Sequence, residues 1–118
     1  MSDDYYCQSA FTVSSSFPET VVSSRARLLF ITVRNSAGVT GSSYKSLVLR
    51  DGSAGDIKYE VIVPANATTG INRSQYTRKI DMGGDGILFP NGIYVETGSS
   101  GVGSGSSCCI DAVTLFYL

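Results

Sequence analysis

Along most of the chain apolar residues recur at every second position, in short runs that Gly, Ser, Asn or Asp interrupt before a helical period can establish itself. The clearest run is IKYEVIV, Ile57 to Val63. It puts Ile57, Tyr59, Val61 and Val63 on one face and Lys58, Glu60 and Ile62 on the other, which predicts a half-buried strand closed by Pro64. RARLLFITVRN, Arg25 to Asn35, behaves differently: strict alternation sets Leu29, Ile31 and Val33 against Leu28 and Phe30, so both faces are apolar at its middle. The C-terminal CIDAVTLFYL repeats this, with Val113, Leu115 and Tyr117 opposed to Ile110, Ala112, Phe116 and Leu118. A strand with two apolar faces in a small sandwich needs cover on its outer side, from another chain segment or another subunit.

Further strands are expected at Tyr44 to Arg50, Tyr76 to Met82, Tyr5 to Val13 and Glu19 to Ser24. ILFPNGIYVETG, Ile87 to Gly98, carries the sharpest local signal. Pro90 presets φ for the first central position of a type I turn, Asn91 suits the second, and Gly92 accepts a left-handed conformation. The alternating flanks predict two strands in register across that turn. The whole reads as an all-β chain: one two-sheet β-sandwich, jelly-roll-like or Greek-key, of about seven or eight strands spanning residues 1–118. Residues 1–24 would form an arm plus a first strand, and the Ser/Gly-rich residues 98–107 a flexible loop.

Composition narrows the function. A chain of 118 residues can bury one core, and with a formal net charge of −1 and 16% charged residues nucleic acid is not an expected partner; no run approaches the roughly 18 apolar residues needed to cross a bilayer, so no membrane is expected either. The start, MSDDYYCQSAF, has acids where a secretory signal needs cations, which predicts synthesis in a cytoplasm without export. Cys7 stands alone and Cys108 and Cys109 are adjacent, a pattern read as three half-buried thiols, with a redox switch at the vicinal pair or a bridge from Cys7 as the other readings. The Asn66 and Asn72 sequons are expected to be plain loop residues.

The chain contains no histidine, which removes Ser-His-Asp and Cys-His arrangements and the commonest transition-metal ligand. Paired-carboxylate hydrolysis would have to draw on Asp51, Asp56, Glu60, Asp81, Asp85, Glu96 and Asp111, which fall in turns or at strand ends. Asp51 to Asp56 and Asp81 to Gly86 each space two carboxylates around glycines, as hard-cation loops do, but read first as Gly/Asp turns. No catalytic residue, cofactor or metal is therefore expected. Tyr5, Tyr6, Tyr44, Tyr76 and Tyr94 are candidates for a carbohydrate platform, although tyrosine is equally at home in strands and interfaces.

RARLLFITVRNSAG, SLVLRDGSAGDIKYEVIVPA, GGDGILFPNGIYVETG and the ending AVTLFYL resemble, in that order, a loose group of small β-sandwich virion structural proteins of tailed, especially marine and cyanobacterial, bacteriophages. The resemblance covers roughly residues 25–118, and the first 24 residues and the Ser/Gly segment before Cys108 depart from it. It implies a virion location and a capsid decoration (cement) protein that binds the major capsid protein as a small homo-oligomer, with a trimer suiting threefold sites. A head-to-tail or tail/fibre component, or a host-glycan-binding module, are the alternatives. The residues expected at an interface are Tyr5, Tyr6 and Phe11 in the N-terminal region, together with Arg25 and Arg27. For the first group an ordinary first strand, and for the arginines solvated strand ends, are the plainer readings.

Overall fold

A computed structural model describes residues 7–35, 44–64, 77–102 and 109–118. Tyr5, Tyr6, Tyr76, Asn66, Asn72 and Cys108 lie outside the described residues. Nine strands are present among those described: β1 (Gln8–Val13), β2 (Glu19–Val22), β3 (Ala26–Asn35), β4 (Tyr44–Asp51), β5 (Ile57–Pro64), β6 (Thr77–Asp81), β7 (Ile87–Phe89), β8 (Ile93–Val102) and β9 (Ile110–Tyr117). A 3-10 turn at Ser14–Ser16 joins β1 to β2. No helix among the described residues is long and apolar enough to cross a membrane.

The strands form two antiparallel sheets. One runs β1-β9-β3-β6, with β7 also on β3, and the other runs β2-β8-β4-β5. The first and last strands are neighbours in one sheet, the second and penultimate are neighbours in the other, and β4–β5 is a hairpin between consecutive strands. That nested wrapping is the jelly-roll arrangement, within the expected all-β two-sheet sandwich.

Leu28, Ile31, Val33, Val113, Leu115 and Phe89 from one sheet meet Leu47, Leu49, Val63, Ile93 and Val95 from the other, all fully buried. Two register irregularities between β3 and β9 reset the alternation that the sequence pattern implied. The first falls between Leu28 and Phe30 and turns Leu28 inward, while Leu29 is only half-buried; strict alternation had placed them the other way round. The second, between Arg34 and Asn35, brings Ile110 inward opposite Asn35. A bulge adds one residue to one strand, so every side chain beyond it changes face.

Two further expectations are corrected. β8 continues to Val102 and pairs with Tyr44 and Lys45, so the first part of the expected Ser/Gly loop is strand. Gly98 permits this: the β4–β8 register slips between Lys45 and Leu47, and a Cβ at residue 98 would stand 2.1 Å from Ser46 Oγ. Ser46 and Val48 are buried although they point away from the core. The second concerns the Pro-Asn-Gly triplet, which does turn the chain, with Gly92 at φ +99° and its N–H donating to the Phe89 carbonyl. It does not make a hairpin, because β7 pairs with β3 in one sheet and β8 with β2 and β4 in the other. The triplet is a corner between the sheets.

The β4–β5 turn is fastened to that corner. The Asn91 backbone N–H and its Nδ2 donate to the two carboxylate oxygens of Asp51, at 2.7 and 3.1 Å, and the Gly52 N–H donates to the Gly92 carbonyl. Arg50 holds the same turn from the other side, donating to the Gly55 carbonyl and pairing with Glu96 at 2.6 Å.

Gly92→Ala is expected to lose about 3 kcal/mol or more, because it adds left-handed strain to a Cβ only 2.3 Å from the Val22 carbonyl oxygen. Gly83→Ala, at φ +80° with open space around it, should cost only about 1 kcal/mol. Urea denaturation of the two variants checks the ordering. By the same measurement Asp51→Ala should cost about 1 kcal/mol, the net worth of two exposed, charge-assisted hydrogen bonds.

Candidate interaction surface

Strand register defines the outer face of the β1-β9-β3-β6 sheet. Pairing places Ser9, Phe116, Phe30 and Asp81 in one row, Phe11, Thr114, Thr32 and Lys79 in the next, and Val13, Ala112, Arg34 and Thr77 in the third. Three phenylalanines thus stand on a solvent-side face. Phe30 and Phe116 are stacked, with centroids 4.4 Å apart and planes 12° from parallel, and Lys79 Nζ lies 4.4 Å from the Phe30 centroid. The two-faced apolar pattern of β3 and β9 is accommodated here within one chain: each ring covers one side of the other, and an ammonium covers part of the exposed side. Phe11 has no such cover and is 60% exposed.

Beside Phe11 runs a shallow groove lined by Thr32, Thr114, Ala112, Arg34 and Thr77. Arg34 is fixed at its rim by Asp111, whose Oδ2 accepts from both Nε and Nη2 at 2.7 Å. The groove therefore offers hydroxyls, an apolar ring and a partly neutralised guanidinium, a mixed surface suited to another polar surface rather than to a free anion.

Arg25 and Arg27 lie elsewhere. Arg25 is exposed just before β3, and Arg27 is half-buried on β3 opposite Leu88. With Ala26, Leu88 and Leu118 they line a depression of about 360 Å³, where the Arg27 guanidinium reaches the Asp85 carbonyl at 3.5 Å. Arg27 and Thr32 are five positions apart on β3, about 16 Å at the usual strand rise, so Arg27, with its neighbour Arg25, and Phe11 belong to different patches of the surface.

The carboxylates are dispersed. Asp51 clamps Asn91, Glu96 pairs with Arg50, Asp111 with Arg34, and Asp81 lies 3.9 Å from Lys79. Glu60 and Glu96 flank Val48 on the outer face of the other sheet, one strand to either side. Among the described residues no three His, Cys, Asp or Glu side chains converge to hold a metal ion. Cys109 is buried and disulfide-bonded, which corrects the expectation of three thiols; Cys7 is a half-buried free thiol and takes no part in a bridge.

Compared with protein-family models, curated proteins and solved structures, the chain matches none.

The stacked pair and the lone ring should respond differently to truncation. Phe116→Ala is expected to cost about 2 kcal/mol, and a double-mutant cycle with Phe30→Ala to give a coupling of about 1 kcal/mol. Phe11→Ala should change stability by less than about 0.5 kcal/mol, since most of its ring is already in water. Equilibrium denaturation of the wild type and these four variants decides.

Proposed function

We propose that this protein is a structural component of a tailed-phage virion, of the capsid decoration type, that attaches to the assembled shell through the outer face of its β1-β9-β3-β6 sheet. The observation that carries the reading is Phe11: an exposed ring beside a half-buried aromatic stack, on a face that also carries hydroxyls, the ion-paired Arg34, and Lys79 with Asp81. Such a face gains by excluding water against a second protein surface, with aromatic anchors at the centre and polar groups around them. Jelly rolls recur in viral shells and also in lectins, so the fold alone does not choose between these roles. The resemblance of the strand and turn pattern to small phage virion proteins is what favours the former.

The aromatic ring beside a hydroxyl-lined groove also suits a sugar, and this gives the second reading, a host-glycan module. Co-sedimentation with bare shells of the virus that encodes the chain separates the two. The wild type should sediment with the shells, and Phe11→Asp should weaken that binding at least about tenfold without changing the melting temperature. If the wild type stays in the supernatant but is retained on a glycan array in a Phe11-dependent manner, the decoration reading is wrong.

A further inference from the structure

The sheets end in strands whose outer backbone groups have no ladder partner among the described residues, and such edges template further pairing unless they are blunted. Most are blunted. β2 is four residues long, follows Pro18 and carries a register irregularity, while β7 has three residues and β6 has five, three of them Arg78, Lys79 and Asp81. β1 offers six residues before the chain turns away at Ser14.

β5 is different. It is eight residues long, its one register irregularity lies near its start at Lys58, and Ile57 and Ile62 are each 47% exposed. Tyr59 and Val61 pack against the core yet stay half-buried, and among the described residues no strand continues the sheet beyond them.

We propose that β5 is a self-association edge: two copies pair β5 with β5, antiparallel about a twofold axis at Tyr59, and fuse their β2-β8-β4-β5 sheets into one. The charges select this register. With Tyr59 opposite its own copy, Lys58 faces Glu60 of the second copy and Glu60 faces Lys58, giving two cross-strand pairs of opposite charge on the solvent side. On the core side the half-buried Tyr59 meets its own copy, while Ile57, set opposite Arg50 by the β4–β5 register irregularity, lies on the solvent side at the end of the contact. Centring the axis one residue later opposes Glu60 to Glu60, and one residue earlier opposes Lys58 to Lys58. The contact is isologous and closes at two copies. It stands apart from the virion reading and from the threefold arrangement that the phage resemblance implied.

Sedimentation equilibrium of the purified chain tests it. The mass should rise with concentration from that of the 12.5 kDa monomer to that of a dimer. Glu60→Lys turns both attractive pairs repulsive on an exposed side chain and should weaken dimerisation about tenfold or more, with an unchanged circular dichroism spectrum. Exchanging both charges, Lys58→Glu with Glu60→Lys, should restore it. A chain that remains monomeric up to about 1 mM, a trimeric mass, or a dimer indifferent to Glu60→Lys would each overturn the proposal. Failure to bind shells would leave it standing, so the two readings fail separately.

Discussion

Contact between the two inner sheet faces holds this molecule together, and what that contact demands is continuity. A chain of this size has one core, and every strand must deliver its apolar residues to the same side for its whole length. Strict alternation cannot do so for β3 and β9, which carry apolar residues in both parities. The two register irregularities between them solve the conflict by turning Leu28 and Ile110 inward, so that the buried set runs unbroken from Ala26 to Asn35. What remains outside, Phe30 and Phe116, is a pair small enough to cover itself.

The same demand explains the corner at Pro90, Asn91 and Gly92. Changing sheets there lets Phe89 and Ile93 both enter the core from opposite sides, and the Asp51 carboxylate and the Gly52 N–H bind the corner to the neighbouring hairpin. Glycine at residue 92 is needed for its φ of +99° and for the approach of the Val22 carbonyl. The rigid end of the sandwich is thus built from residues far apart in sequence.

Much of this was legible in the sequence. The period of two marked the strands, and the Pro-Asn-Gly chemistry located a turn and its left-handed residue. Alternation is a local rule, however, and gives no sign of where a bulge resets it, so Leu28 and Ile110 were assigned to the wrong face. A turn signal says where the chain reverses but not which sheet receives it, and the expected hairpin was therefore a corner. Composition made Gly98 to Val102 look like a loop, whereas Gly98 is small because backbone and Ser46 approach each other there. Of the surface residues, Phe11 was named only as an interface candidate, with an ordinary first strand as the plainer reading; Lys79 above Phe30 and Asp111 against Arg34 were not legible, because those contacts join strands distant in the chain.

Of the candidate carboxylates, Asp51, Glu96, Asp111 and Asp81 are distributed among Asn91, Arg50, Arg34 and Lys79, and the most exposed large apolar groups are Phe11 on a sheet face, Ile57 and Ile62 on a sheet edge, and the terminal Leu118. The central claim is that the core is self-sufficient while the β5 edge is completed by another copy. Amide hydrogen exchange at low and high protein concentration tests both halves at once. Amides of β3, β4 and β9 should be equally protected at both concentrations, and β5 amides should gain protection only at the higher one. Loss of core protection on dilution, or a β5 that exchanges identically at both, would contradict the account.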